Sequence, residues 1–427
     1  MAAAATLAAM CISLWSTGAV PEYWPAMAFF AVAIILQVAP AEVVLSGFHS
    51  STLWLLLSGM VMGSAIRHTG LGRRCAAVLA GFLGRRYGTV LAGIVAFSVA
   101  LAFVMPSSMG RIALLVPIVT SLADHMGYGK GSNGRTAFLM AAAFATCLPA
   151  YAILPANTPN MILAGSAESL YGLHISYWDY LVLHFPVLGA AKAAVLTLLI
   201  LRMFPDHDPA AGPIAPRDGP MTGREWHLLA VLAACLAFWL TDGLHHVSPG
   251  WVGLAFALYC LWPGFALTSA DCLNKDVNHA PLFFVAGILG LGSVIAATGL
   301  GAALVGIIGE TVSLSADRPI RSILALTAMS GLVGVATNLP GVPTVMTPGA
   351  DALAASTGLP LATVLMTQVL AFSNIVLPYQ APPLVTAIQL AALPAKAVTG
   401  LCIRLFVITA VVLTPLDLLW WSVLGLV

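Results

Sequence analysis

Arg111 is the residue with the most chemistry to offer. It stands in an otherwise apolar stretch, four residues past Ser107 and so on one helical face with it. An ionisable side chain inside a membrane is costly and usually functional. A guanidinium grips a carboxylate or sulfonate through two parallel bonds. The alternative is an arginine that snorkels to the cytoplasmic surface or pairs inside the protein. Lys192, in the middle of another apolar run, follows the same logic. Beside Arg111, the hydroxyls of Ser107 and Ser108 can coordinate a cation, donate to a carboxylate, or cap the start of a helix. Polar residues interrupt apolar runs again at Asn157 and Thr158, at Thr337 and Asn338, and at Gln380. Their amides and hydroxyls suit an ion of either sign. Pro155, Pro159, Pro340, Pro378, Pro382 and Pro383 lie beside them. Prolines there free backbone carbonyls, or merely kink a helix.

Other chemistries lack their residues. There is no H-E-x-x-H, no G-x-S-x-G and no Walker A sequence, so an enzyme is not expected and no cofactor or resident metal is implied. The seven cysteines are isolated and read as small apolar residues. His245-His246 reads as a solvated loop. The acids sit mostly in loops, and Asp417 reads as lying close to the outer end of the last helix, so no relay of embedded carboxylates is expected. The 17 Lys+Arg and 16 Asp+Glu are scattered, which excludes the basic stripe that nucleic acid requires.

The elements that must hold these groups follow from composition. The 427 residues are 60% hydrophobic and 8% charged, far below the roughly 25% charged residues of soluble domains. Most of the chain must face lipid or buried protein, and at ~20 residues per crossing about ten crossings fit. Apolar runs predict membrane helices near 4–19, 24–38, 52–66, 135–154, 179–203, 226–241, 250–266, 280–297, 360–377 and 399–425. The N-terminus lacks a basic signal-peptide region and reads as the first of these. Stretches 88–123 and 320–349 each break in the middle, at Met105–Gly110 and Ala336–Gly341. A polar break in lipid must be buried in protein or line a cavity, and re-entrant hairpins meet that condition. The fold class expected is an all-α polytopic membrane protein with two such hairpins.

The two halves repeat around a Pro/Gly/Asp-rich linker at 204–225. Gly63-Ser64 and Thr69-Gly70-Leu71-Gly72 recur as Gly292-Ser293 and Thr298-Gly299-Leu300-Gly301. Pro117 matches Pro348, and Leu154-Pro155 through Pro159 matches Leu377-Pro378 through Pro382. The basic residues are asymmetric. Arg73, Arg74, Arg85 and Arg86 follow the first Thr-Gly-Leu-Gly, whereas no cation follows the second until Arg318. Lys130 and Arg135 follow the first hairpin, and residues 350–359 hold no Lys or Arg. Since cytoplasmic loops are enriched in these residues, the repeats are expected to be inverted, with 1–203 and 226–427 as the two repeats, the linker cytoplasmic and both termini outside; Arg318 and Arg321 stand against the rule. Inverted repeats with discontinuous helices are the architecture of secondary transporters, with binding near the midplane.

These segments resemble the divalent anion/sodium symporter family over nearly the whole chain. The resemblance runs through Trp15 to Pro21, Leu53 to Arg74, Ser107 to Pro117, Asn157-Thr158-Pro159-Asn160, Thr337-Asn338 and Gln380-Ala381-Pro382-Pro383. It implies a homodimer in the inner (plasma) membrane, built of scaffold and transport domains that each draw on both halves and move as an elevator. It also implies a small anionic substrate, a di- or tricarboxylate or sulfate-like dianion, with sodium as coupling ion. Carried over residue by residue, it implies substrate contacts at Ser108, Met109, Asn157, Thr158, Asn338 and Pro382, to which the chemistry of Arg111, a guanidinium the family's tip lacks, adds a seventh. It implies cation contacts at Ser107, Ser108, Ala156, Thr337, Asn338, Gln380 and Ala381. The first tip departs from the family, with Ser108 where it has Asn and Met109 where it has Thr. A proton-coupled or exchange mechanism for an oxyanion is the alternative. A membrane-embedded enzyme comes last.

Overall fold

The computed structural model describes all residues except 1, 18, 22, 73, 75–85, 106, 210–218, 300–316 and 427. Among the described residues the regular structure is helical and no strand occurs. The first half runs α1 (Ala2–Thr17), α2 (Tyr23–Ile35), α3 (Ser51–Thr69), α4 (Tyr87–Val104), α5 (Ser108–His125), α6 (Asn133–Cys147), α7 (Thr158–Tyr171) and α8 (Tyr177–Met203). The second runs α9 (Gly223–Leu240), α10 (Pro249–Leu261), α11 (Ala280–Ala297), α12 (Pro319–Ala336), α13 (Gly341–Thr357), α14 (Leu361–Phe372), α15 (Pro382–Ala391) and α16 (Ala395–Val423). Helices α4, α8, α9, α11, α12 and α16 are each long and apolar enough to cross a bilayer, and the chain is a multi-pass membrane protein.

Three expectations need correction. The helix over 135–154 ends at Cys147, because Pro149 and Pro155 cannot donate to its ladder and short 3-10 turns carry the chain onward. Helices α7 and α15, of 14 and 10 residues, were not expected, since each is shorter than the ~20-residue window that reveals a crossing. The last part of 320–349 does not end a helix: α13 runs on to Thr357, and α14 then leaves it at 119°. Most of the stretches 67–87 and 298–319, which hold the two Thr-Gly-Leu-Gly motifs, and the middle of the linker lie outside the described residues.

Among the described residues the order of the eight helices named in the first half recurs in the second, each with its counterpart eight helices on. The contacts recur as well. Helix α3 packs on α10, and its counterpart α11 packs on α2. Both approaches depend on glycine: a Cβ on Gly250 would stand 2.1 Å from the Ser51 carbonyl oxygen, and one on Gly287 would stand 2.4 Å from the Ala26 Cβ. Small residues admit this approach where helices meet in lipid. Helix α5 packs on α15, and the counterpart pair α13 and α7 pack together. Helices α8 and α16 meet with a π-helical turn in each, at Phe185–Ala191 and Thr409–Leu413.

Helices α4 and α5 form a hairpin whose open end is fastened by the start of the linker. The Tyr87 hydroxyl donates to the Phe204 carbonyl at 2.6 Å and the Tyr128 hydroxyl to that of His207 at 2.7 Å. Their rings lie 6.0 Å apart. Asp206 accepts from the Gly134 amide at the start of α6 at 2.6 Å. Burial alone would raise this carboxyl, but the Gly134 and His207 donors outweigh it and hold it below the ordinary carboxylate range. The far end of the linker is tied to the stretch after α3, where Arg74 Nε pairs with Glu225 at 2.8 Å and Nη1 donates to the Gly219 carbonyl at 2.8 Å.

Candidate functional site

The closed end of the α4–α5 hairpin lies against the place where α6 stops and α7 starts. Every broken helix leaves carbonyls without donors at one end and amides without acceptors at the other. The first break meets its carbonyls through side chains, chiefly Asn160 and Arg111, with Ser108 and Tyr180 adding one bond each. Asn160, on the first turn of α7, donates to the Tyr151 and Ile153 carbonyls at 3.0 and 2.9 Å. Arg111, on α5, is fully buried. Its Nη2 lies 3.0 Å from the Thr146 carbonyl in the last turn of α6, 3.1 Å from that of Ala156 and 3.1 Å from Ser108 Oγ. Its Nη1 donates to the Met105 carbonyl, where α4 ends. One guanidinium thus joins the carbonyl ends of three chain segments. It does not snorkel, and its η nitrogens are directed at protein oxygens.

Ser108 binds the same cluster. Its hydroxyl is 2.5 Å from Asn157 Oδ1 and 3.1 Å from the Ala156 carbonyl. Asn157 Nδ2 is buried without a partner. Ser107 caps α5 by accepting from the Gly110 amide at 3.1 Å. Thr158 is half-buried at the start of α7, and Met109 is exposed. The predicted residues Ser107, Ser108, Arg111, Ala156 and Asn157 are therefore in one place, and Asn160, quoted in the motif but given no role, belongs with them.

The second break is built by other means. Leu339 donates its amide to the Gln380 carbonyl at 2.9 Å, which joins the α12–α13 tip to the α14–α15 break. Gln380 Oε1 accepts from the Val376 and Leu377 amides at 2.8 Å each. Asn338 Oδ1 caps α13 by accepting from the Gly341 amide at 2.9 Å, and the Thr337 hydroxyl donates back to the Val333 carbonyl at 2.7 Å. Ala381 is buried and Pro382 half-buried beside them. The cation of this break is Lys192, from α8 of the other half. It is fully buried, and Nζ donates to the Ser373 carbonyl that ends α14 at 2.9 Å and to Asn374 Oδ1 at 3.1 Å.

Four helices start in these two clusters: α5 and α7 in the first, α13 and α15 in the second. The α5–α15 and α7–α13 contacts hold the clusters together. The starts of α5 and α7 present free amides and favour anions, whereas the first amides of α13 and α15 are proline nitrogens or already bonded; the carbonyl ends of α6 and α14 are each met by a buried side-chain cation. Among the described residues no group of His, Cys, Asp and Glu is arranged to hold a metal ion. A separate cavity of about 470 Å³ reaches Leu154 and Met161 from a rim that includes Ser51, Glu168, Asp179 and Asp242; none of the predicted site residues lines it.

A family profile described as the sodium:sulfate symporter transmembrane region matches residues 1–427. A membrane protein of Cupriavidus necator is 26% identical over 265 residues, 60% of this chain and 52% of that protein. The inner membrane protein YbhI of Escherichia coli is 27% identical over 262 residues, 59% of this chain and 54% of that protein. The L-tartrate/succinate antiporter of Escherichia coli is 24% identical over 271 residues, 60% of this chain and 54% of that protein. The matches therefore span about half the length of these curated relatives. The YdaH transporter of Alcanivorax borkumensis has a similar fold, with a TM-score of 0.52 at 14% identity, over 90% of this chain and 88% of that one.

Proposed function

From the premise that this chain belongs to the sodium:sulfate symporter family, we propose that it is a secondary transporter that exchanges small organic dianions of the di- or tricarboxylate class across the inner (plasma) membrane. The observation that carries the reading is the placement of two buried cations on the carbonyl ends of the two broken helices. A coupling cation would seek those same oxygens. Arg111 already donates to Ala156 and Met105 at the first tip, and Lys192 to Ser373 at the second break. The positive charge that offsets a dianion is then part of the protein, and no sodium need be bound to supply it. A carrier with a fixed charge balance returns most readily when loaded, which is the behaviour of an exchanger. The antiporter among the relatives supports the same reading.

The dianion sits between the two clusters, where the free amides at the starts of α5 and α7 and the Ser108, Asn157, Thr158 and Asn338 side chains offer donors; at α13 and α15 the first amides are proline nitrogens or already bonded. Arg111 acts there as a positioning residue and a fixed charge rather than as a direct ligand. The two hairpins re-enter the membrane from opposite faces in an inverted repeat, and they move with α6–α8 and α14–α16 as an elevator against a dimeric scaffold. A second reading, sodium symport through a single site at Thr337 and Asn338, is favoured by the oxygens those residues keep at the second tip.

Counterflow tests the proposal. Proteoliposomes loaded with unlabelled succinate are expected to accumulate labelled succinate and tartrate, and empty ones are not. Equal uptake into loaded and empty vesicles would refute exchange.

A further inference from the structure

Asp417 is fully buried on α16, and neither of its carboxylate oxygens has a hydrogen-bond partner. It does not lie at an exposed helix end, as its place in the sequence suggests. The second half of α16 packs on α8 where the two π-helical turns oppose each other, and such turns recur at functional sites. The Trp420 indole pins the pair by donating to the Val182 carbonyl at 2.9 Å. Trp421, one turn beyond Asp417, lies 6.0 Å from the His184 ring. Lys192 directly follows the π-helical turn of α8 that packs on the last part of α16, and its ammonium is directed at Ser373 and Asn374.

An ionised carboxylate with no donor in a buried site is too costly to persist. The group has two ways out: it holds a proton, or it draws a cation to itself. Both are available here, and the second takes Lys192 away from the break. We propose that Asp417 is a proton-binding site whose occupancy decides where Lys192 donates. With a proton on Asp417, Lys192 holds the Ser373 carbonyl and the Asn374 side chain at the end of α14, as observed. When Asp417 releases its proton to the aqueous phase, the Lys192 ammonium keeps its own protons and changes partner to the new carboxylate. The Ser373 and Asn374 oxygens are then freed, and the second break loses its fixed charge.

The groups that bear on this site are few. From α8 they are Lys192 and His184; Tyr180 is turned to the Tyr151 carbonyl, Tyr177 is buried a turn earlier, and Asp179 and Arg202 are exposed. Lys396 and Arg404, on α16 itself, are exposed. Helices α14 and α15 carry no charged residue. On α8 and α16 no second buried acid is present to share the proton.

The proton site stands on this geometry alone, while its effect on transport rests on the exchange reading. Two measurements on the full-length protein keep them apart. Infrared difference spectra between acid and alkaline pH are expected to show a protonated-carboxyl band that vanishes at alkaline pH and is missing in Asp417→Asn. In the counterflow assay the wild-type rate is expected to change by about tenfold across that titration, equivalent to about 1.4 kcal/mol. Asp417→Asn, which mimics the protonated form, is expected to run at the wild-type acid rate at every pH, and Asp417→Glu to recover a pH response. No titrating carboxyl band, or an Asp417→Asn rate that varies with pH as the wild type does, overturns the proposal. Should Asp417→Asn fail to fold, the wild-type spectrum and Asp417→Glu decide: no band, or no pH response in either protein, overturns it. A titrating band in a protein that exchanges no anion would sink the transport reading and leave the proton site standing.

Discussion

The first and second breaks face the same physical problem and solve it with different residues. In each, a helix stops inside the protein and its last carbonyls need donors. At α6 the donor is an arginine from the adjoining hairpin, whose planar fork reaches Met105, Thr146 and Ala156 at once. At α14 the donor is a lysine from the long helix of the other half, which reaches one carbonyl and one side-chain amide. The two breaks therefore share an electrostatic arrangement, positive charge on a helix C-terminus, without sharing the residue or the helix that supplies it. The difference also separates roles. Arg111 makes a network that fixes one geometry, and Lys192 makes two bonds on a flexible stem that can be exchanged for others.

The largest effect is expected from removing the fork. Arg111→Met leaves the Met105 and Thr146 carbonyls without that donor, at about 1–3 kcal/mol each, and folded yield in detergent is expected to collapse. Arg111→Lys keeps the charge but cannot span three acceptors, so its melting temperature is expected to fall between those of Arg111→Met and the wild type. A folded Arg111→Met with wild-type stability would break the comparison at its first term.

Lys192→Met is expected to cost less, about 1–3 kcal/mol for one unmet buried carbonyl, read as a lower melting temperature with folded yield retained. If Lys192→Met is more damaging than Arg111→Met, the two cations do not differ in the way their bonds imply.

Smaller again is the contrast between neighbouring hydroxyls. Ser107→Ala removes a helix cap, worth about 0.5–2 kcal/mol, and is expected to lower stability with little change in substrate affinity. Ser108→Ala removes the group beside Asn157 at the start of α7 and is expected to weaken substrate affinity in a binding titration. The reverse pattern would move the anion site away from Ser108.

Much of this was legible in the residues. Pro, Ser and Asn inside apolar runs marked Met105–Gly110 and Ala336–Gly341 as breaks, and there α4 gives way to α5 and α12 to α13. Arg111 and Lys192 stood out because charge is rare in such runs. What they bond to was not legible, since an arginine one turn past a tip can grip a substrate, reach the surface or hold a backbone, and only the fold chooses. Asp417 was misread for a related reason. Its distance from the end of the last helix suggests exposure, but α16 is 29 residues long and a π-helical turn resets which face the carboxyl takes. Helices α7 and α15 stayed hidden because half a crossing leaves no hydropathy peak of its own.

Under the proposed exchange mechanism, side-chain cations occupy the places of coupling ions. The direct measurement is succinate counterflow in proteoliposomes with sodium on both sides, compared with sodium fully replaced by choline. Rates equal within about twofold, a difference of roughly 0.4 kcal/mol, are expected for the wild type. A loss of tenfold or more on sodium removal, about 1.4 kcal/mol, would contradict the claim and return the coupling role to a bound ion at Thr337 and Asn338.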